Sequence, residues 1–282
     1  MSTATITAAD INKLRQTTGA GMMDCRKALV ESDGDFEKAI DYLRKKGQKV
    51  AALRSDREAK EGVIIATTTP DNKTGYIVTL ACETDFVAKN ADFIAFAQSI
   101  VNVALAKNLR TLEELLAAQL DGAAISDKIN DQVAKIGEKV QLTRFERIDG
   151  EGVSAYIHGS YRMGVLVGLS GNTPEILQAG RDLAMQIAAM NPVAVDPDSV
   201  PAEVVAREKA IVTEQIKNDP KMAGKPDEMI EKIAMGKLNA FFKENTLTAQ
   251  PFVKDASKTV GDYLKSVDAT VKVTQFKRVQ LG

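Results

Sequence analysis

The chain has 282 residues, enough for two or more domains, and its 37 basic and 38 acidic residues leave a net charge of −1. This balance argues against a nucleic-acid partner recognised through bulk charge. The lack of Trp and an aromatic content of 5% also remove the usual residues for base stacking. No apolar stretch of the sequence approaches the roughly 20 residues that span a bilayer, so we expect no membrane partner.

Residues 1–47 are predicted to form a module of three helices. A capping-box pattern at residues 7–10 begins the first helix, and the stretch 17–21, rich in Gly, ends it. The second helix begins near Met22, and the third runs from Asp35 to a C-cap at Gly47. Residues 48–60 lack a persistent apolar stripe and are interpreted as a charged, partly helical linker.

Two adjacent methionines at the start of the second helix leave two alternatives open. Consecutive helical residues point about 100° apart, so Met22 and Met23 cannot easily both be buried in one small core. Either one of them is exposed as an adaptable contact residue, or both belong to the core.

The periodicity changes after the linker, where residues 61–149 are predicted to form the first half of the core. Two β-rich runs, 62–69 and 75–82, flank a hairpin turn. A helix over 90–107, less regular helical stretches over 109–120 and 126–136, and a strand over 140–148 follow.

The same order of elements recurs in residues 150–195 and 246–282. Strands at 153–158 and 163–169 precede a helix at 174–190, and a closing strand at 271–279 repeats the pattern of 140–148. The predicted fold is therefore α+β, with two related subdomains that each lay a helix on a small antiparallel sheet.

An insertion over residues 196–245 separates the second helix from its closing strand. Its two charged helical stretches, 201–218 and 226–244, indicate an antiparallel hairpin joined near Pro220 and Gly224. Such an arm is more often an interaction surface than a catalytic one.

The first apolar hairpin ends in a charged stretch that contains a phenylalanine. Thr84, Asp85, Phe86 and Val87 lie between a predicted strand and a predicted helix, where binding residues concentrate. Phe86 either folds back under this connection, as apolar residues usually do, or is exposed for a partner.

No arrangement of residues indicates catalysis. The two cysteines, Cys25 and Cys82, fit no metal-binding spacing with the lone His158, and no carboxylate is in place to orient this histidine as a base. We therefore expect no enzyme, no metal and no cofactor. Reduced thiols and the absence of a signal or transit pattern favour the cytoplasm.

Four separated motifs resemble those of bacterial elongation factor Ts, in the same order and over nearly the whole chain. They are the stretches 14–29, 84–87, 158–166 and 250–260. The resemblance implies a module similar to ubiquitin-associated domains, a duplicated core and an inserted dimerisation arm, and hence a homodimer through that arm.

The resemblance further implies guanine-nucleotide exchange on elongation factor Tu, a protein partner. Thr84, Asp85, Phe86 and Val87 would disturb the Mg²⁺ site of that partner. Contacts with the partner would come from residues in both halves of the chain: Arg15, Met22, Met23, His158 and Val253. The alternative is a helical adaptor that uses its first module for binding and has no exchange activity.

Overall fold

The computed structural model describes residues 6–219 and 226–282. The first module contains helices α1 (Ala8–Thr18), α2 (Met22–Glu31) and α3 (Phe36–Leu53). As predicted, Thr7 and Asp10 form a capping box at the start of α1, and Gly19 ends this helix with a left-handed backbone.

The predicted end of α3 at Gly47 is wrong, because the helix continues to Leu53. Gly47 is buried, and a Cβ atom at this position would lie 2.9 Å from the carbonyl oxygen of Asn130. The glycine therefore allows α3 to approach another helix closely, and it is not a cap. Part of the stretch interpreted as a linker thus belongs to α3.

The first half of the core consists of one three-stranded antiparallel sheet and the helices that follow its hairpin. The sheet has the order β1–β2–β5, with β1 (Glu61–Thr68), β2 (Thr74–Cys82) and β5 (Gln141–Asp149). Between β2 and β5 lie these elements: α4 (Asp85–Ala88), α5 (Ala91–Lys107), α6 (Leu112–Ala117), β3 (Gln119–Leu120), β4 (Ala123–Ala124) and α7 (Ile125–Ile136).

The second half repeats this topology, which confirms the predicted α+β duplication. Its sheet has the order β10–β7–β6, so that the closing strand again pairs with the second strand of the hairpin. The elements are β6 (Gly152–His158), β7 (Met163–Leu169), α8 (Pro174–Met190), β8 (Pro251–Phe252), β9 (Asp255–Thr259), α11 (Val260–Val267) and β10 (Val273–Gln280). Each hairpin is followed by a helix that packs on its own sheet.

The two sheets also pack against each other through their remaining faces. Ile64 and Ile77 of the first sheet meet Val153 and Leu166 of the second in one buried cluster. Both faces of β2 and β7 are therefore covered, which explains why these strands are almost continuously apolar. The core thus has four layers: helix, sheet, sheet and helix.

The inserted arm contains α9 (Ala202–Lys217) and α10 (Asp227–Asn245). Val212, Ile216 and Ala234 form a small buried cluster between these two helices. The predicted pair of helices is confirmed, whereas the turn predicted near Pro220 and Gly224 lies outside the described residues.

Candidate functional site: an exposed phenylalanine on a braced turn

The connection from β2 to α5, residues 83–90, is called the Phe86 loop below. Thr84 is the N-cap of the single-turn helix α4, and its hydroxyl oxygen accepts a hydrogen bond from the N–H of Val87 at 3.5 Å. Thr84 therefore caps the turn that carries Phe86. Phe86 is 83% exposed, so the alternative in which it folds back under the loop is wrong.

The neighbours of Phe86 have different surroundings. Val87 is half-buried against the apolar cluster of the first half, and this packing anchors the turn on one side. Asp85 forms an ion pair with Lys89 at 2.6 Å, and the hydrogen bond from Lys89 keeps the pKa of Asp85 below its usual value. The loop therefore presents an apolar ring beside a charged carboxylate.

Two pairs of consecutive residues, Glu83–Thr84 and Glu138–Lys139, form what we call the carboxylate bracket. The Glu138 carboxylate accepts hydrogen bonds from the N–H of Thr84 at 3.0 Å and from its hydroxyl at 2.7 Å. In return, the Glu83 carboxylate accepts a hydrogen bond from the N–H of Lys139 at 2.5 Å. Each segment thus supplies a carboxylate to the backbone of the other.

The bracket also holds the segment that follows α3. Arg54 and Arg57 each donate to the Glu83 carboxylate at 3.0 Å. The Lys139 ammonium donates to the backbone carbonyls of Ser55 and Arg57. The pKa of Glu83 is lowered, first by the hydrogen bond from the Lys139 backbone and then by the two arginines, so Glu83 is ionised at neutral pH.

The predicted contact residues of the first module are all exposed. Met22 is 52% exposed and Met23 is 68% exposed, and Arg15 is also at the surface. The expectation that only one methionine is exposed is therefore too conservative, and the alternative that both belong to the core is wrong. The core of the module takes other residues of α2: Cys25, Ala28 and Leu29.

Helix α7 connects this module with the Phe86 loop. A Cβ atom at Gly19 of the module would lie 3.2 Å from Cδ of Lys135. Lys135 and Gln132 of α7 also line a groove with Phe86 and Val87. The first module and the Phe86 loop therefore both lie against α7.

The other two predicted contact residues belong to the second half. His158 is the last residue of β6, it is exposed, and its Nδ1 lies 2.9 Å from the hydroxyl of Tyr156. Val253 is 47% exposed, and its N–H donates to the Oε1 of Gln186 at 2.8 Å. Gln186 is completely buried in α8 and also donates to the carbonyl of Pro251, so it fixes the backbone beside Val253.

These arrangements can be compared with known proteins. A family model described as Elongation factor TS matches residues 83–282. An elongation factor Ts from Flavobacterium psychrophilum is 50% identical over 279 residues, which cover 99% of this chain and all of the relative. The chain belongs to the elongation factor Ts family. A relative from Alkalilimnicola ehrlichii, also named elongation factor Ts, is 45% identical over 279 residues, 98% of this chain and 92% of the relative.

The cysteine beside the Phe86 loop is not activated for covalent chemistry. The Cys82 thiol is buried and donates to the Thr84 carbonyl at 3.2 Å, and burial raises its pKa to about 12. Such a thiol stays protonated and is a poor nucleophile. Within residues 6–219 and 226–282, no cluster of three His, Cys, Asp or Glu side chains could hold a metal ion. No helix in these ranges is long and apolar enough to cross a membrane.

Sequence reasoning missed the residues that support the Phe86 loop and the backbone beside Val253. Glu138 and Gln186 are polar, and each contacts its loop across more than fifty residues of sequence. Glu138 follows Gly137, which ends α7 with a left-handed backbone, and this glycine is the one local signal of a chain reversal there.

Proposed function

We propose that this protein promotes the release of GDP from elongation factor Tu and thereby allows GTP to bind. The reaction needs no covalent step and no acid or base of its own. It requires that binding of the factor and binding of the nucleotide weaken each other, which is a reciprocal coupling of free energies. We further propose that the factor acts in the cytoplasm.

The exposure of Phe86 is the observation that carries this proposal. The phenylalanine ring is 83% exposed, so a partner that covers it removes apolar surface from water, and this burial stabilises the complex. The ring stands on a capped turn whose backbone is held by a carboxylate, so little conformational entropy is lost on binding. These features suit a rigid apolar wedge.

The proposed target of the wedge is the surroundings of Mg²⁺ in the nucleotide site of elongation factor Tu. Mg²⁺ demands near-ideal octahedral geometry, so a small displacement of its neighbours weakens its binding. Asp85, ionised beside Phe86, would compete for hydrogen bonds in the same region. A hundredfold loss of GDP affinity corresponds to about 2.7 kcal/mol, which one buried aromatic side chain and its neighbours can supply.

The remaining exposed residues are proposed to bind the partner at two further places. Arg15, Met22 and Met23 would dock the first module on the nucleotide-binding domain. His158 and Val253 would contact another domain of elongation factor Tu. Methionine side chains are flexible and polarizable, which suits an adaptable contact surface. The helical arm, α9 and α10, is proposed as the contact for a homodimer.

Stopped-flow measurement of GDP release tests the proposal. Elongation factor Tu loaded with a fluorescent GDP analogue is mixed with excess unlabelled GDP and increasing concentrations of this protein. We expect the release rate to rise with concentration and then to saturate. Release that stays at the spontaneous rate with micromolar protein contradicts the proposal. Binding without any acceleration favours the adaptor alternative.

A second arm of the same experiment tests the role of Mg²⁺. After chelation of Mg²⁺, the partner has already lost the ion that the wedge is proposed to displace. We therefore expect the protein to accelerate release by a much smaller factor than in the presence of Mg²⁺. An equal acceleration under both conditions places the action of the wedge elsewhere in the nucleotide site.

A further inference from the structure

The hydroxyl of Thr84 has two roles in the Phe86 loop, and Glu138 makes them compatible. The hydroxyl donates its proton to the Glu138 carboxylate at 2.7 Å, which leaves its lone pairs free to accept the N–H of Val87. The other carboxylate oxygen of Glu138 accepts the N–H of Thr84 itself. One carboxylate therefore fixes both the backbone and the capping group of the turn.

The helix that carries Phe86 is too short to be stable by itself. α4 has four residues, and a single helical turn is unfavourable in water without outside contacts. Its attachment at the N-terminal side is the Thr84 cap, and Phe86 lies only two residues beyond this cap. The packing of Val87 anchors the other side of the turn, so the direction of the exposed ring depends on this packing together with the bonds that hold Thr84.

Glu138 is itself attached to a rigid part of the molecule. It directly follows Gly137, the residue that ends α7, and α7 is anchored in the first core by Ile125, Ile129 and Val133. Because α7 also contacts the first module at Gly19, the same helix sets the position of the module and of the wedge. The distance between two partner contacts is fixed in this way before binding.

We propose that Glu138 is a positioning residue for GDP release: its carboxylate orients the Thr84 cap and through it the Phe86 ring. This inference rests on the proposed exchange function. Glu138 need not touch the nucleotide, because it acts through Thr84. Its loss should therefore lower the maximal rate of release more than it lowers the affinity for the partner.

Glu138→Gln tests this role with nearly the same side-chain volume. The amide keeps one acceptor oxygen for two donors and removes the negative charge from both hydrogen bonds. We expect the maximal release rate to fall about tenfold, because small misplacements of a reacting or displacing group are costly. The concentration of protein at half-maximal rate should change less than about twofold.

Glu146→Gln is the matched control. Glu146 is also a half-buried glutamate of the first half, and it lies on β5, outside the Phe86 loop. It forms an ion pair with Lys277 of β10 at 3.2 Å. We expect wild-type exchange from this variant. Hydrogen exchange followed by mass spectrometry adds a local measurement. Faster exchange in residues 83–90 of Glu138→Gln, and not of Glu146→Gln, supports a loosened turn.

A second variant covers the case in which Glu138→Gln does not fold. Thr84→Val removes the hydroxyl that donates to the Glu138 carboxylate, and it should slow release in the same way. The double variant should be no slower than the slower single variant, since the two residues act as one unit. Wild-type release rates from Glu138→Gln, or from Thr84→Val where the first does not fold, overturn the inference.

The outcomes separate this inference from the proposed function. Failure of the wild-type protein to accelerate release contradicts the exchange function itself. If wild-type protein accelerates release and Phe86→Ala is slow, but Glu138→Gln matches the wild type, then the exchange function stands and only the role of Glu138 is wrong.

Discussion

The two halves of the core share their scaffold and differ in the connection from hairpin to helix. When α5 and α8 are aligned from their first residues, buried positions coincide, as with Phe93 and Ile176 or Ile100 and Leu183. In the first half the connection is residues 83–90 and contains α4. In the second half it is residues 170–173, and Thr173 caps α8 directly. The exposed aromatic residue is thus an addition to one copy of a common scaffold.

In each half, a side chain at the start of the connection accepts a hydrogen bond from a backbone N–H just before the closing strand. We call this contact the joint, and its acceptor differs between the two halves. In the first half, the charged carboxylate of Glu83 accepts the backbone N–H of Lys139. In the second half, the neutral hydroxyl of Ser170 accepts the backbone N–H of Lys272 at 2.8 Å. Both joints tie the connection to the residues before the closing strand. Only the first also binds two arginines, and it thereby attaches the segment that follows the first module.

The largest effect on stability is expected where α5 and α8 differ in how closely they approach their sheets. Gly180 of α8 corresponds to Ala97 of α5, and a Cβ at Gly180 would lie 2.4 Å from the Oγ of Ser154. We expect Gly180→Val to lower the free energy of unfolding by about 3 kcal/mol through overpacking. Ala97→Gly should cost about 1 kcal/mol. Urea unfolding followed by circular dichroism measures both, and equal losses would show that the close approach is not needed.

The hydrogen bond at the first joint, and not the one at the second, should be sensitive to acid, because only the first acceptor is a carboxylate. Because the pKa of Glu83 is lowered on folding, its stabilisation is present above the unfolded pKa, near 4.5, and is lost as pH falls through the folded value. We expect Glu83→Gln to cost about 2 kcal/mol at pH 7 and progressively less below pH 4.5. Ser170→Ala, the control, should lose the same stability at every pH. A pH-independent loss in Glu83→Gln contradicts this account.

A smaller effect on binding is expected from the two proposed partner contacts outside the wedge. The double variant Met22→Ala with Met23→Ala should weaken binding to nucleotide-free elongation factor Tu about tenfold, since two exposed apolar side chains lose their contacts. Val253→Ala should weaken it about threefold by the same reasoning. Isothermal titration calorimetry measures both affinities. Met190→Ala, which removes another exposed methionine, is the control and should bind like the wild type; an equal loss there would contradict a specific contact role of Met22 and Met23.

The sequence allowed the prediction of elements whose signals are local. The break between Cys82 and Thr84, the capping box at residues 7–10 and the repeated order of strands all follow from short patterns of apolar and capping residues. The exposure of Phe86 could not be decided by such patterns. Whether Phe86 is exposed depends on whether the core has room for the ring. Its exposure could be expected only through the resemblance to a family.

Contacts between distant segments could not be predicted from a single sequence. Glu138 meets Thr84 only because β5, which follows Glu138, pairs with the end of β2, and nothing in the residues around Glu138 indicates this partner. At Gly47 a local pattern was present but led to a wrong prediction. A glycine near the end of a helical pattern is usually a cap, but here it allows α3 to pack closely on α7. In both cases the packing of helices, and not the local pattern, determines the role of the residue.

The most direct test of the wedge compares the wild type with Phe86→Ala in the stopped-flow assay at saturating protein. The side chain is largely exposed, so its removal should leave the fold intact, and the other proposed contact residues remain to bind the partner. We predict that the maximal rate of GDP release falls about a hundredfold, while the half-saturating concentration changes less than about threefold. GDP release by Phe86→Ala at the wild-type rate would contradict the account.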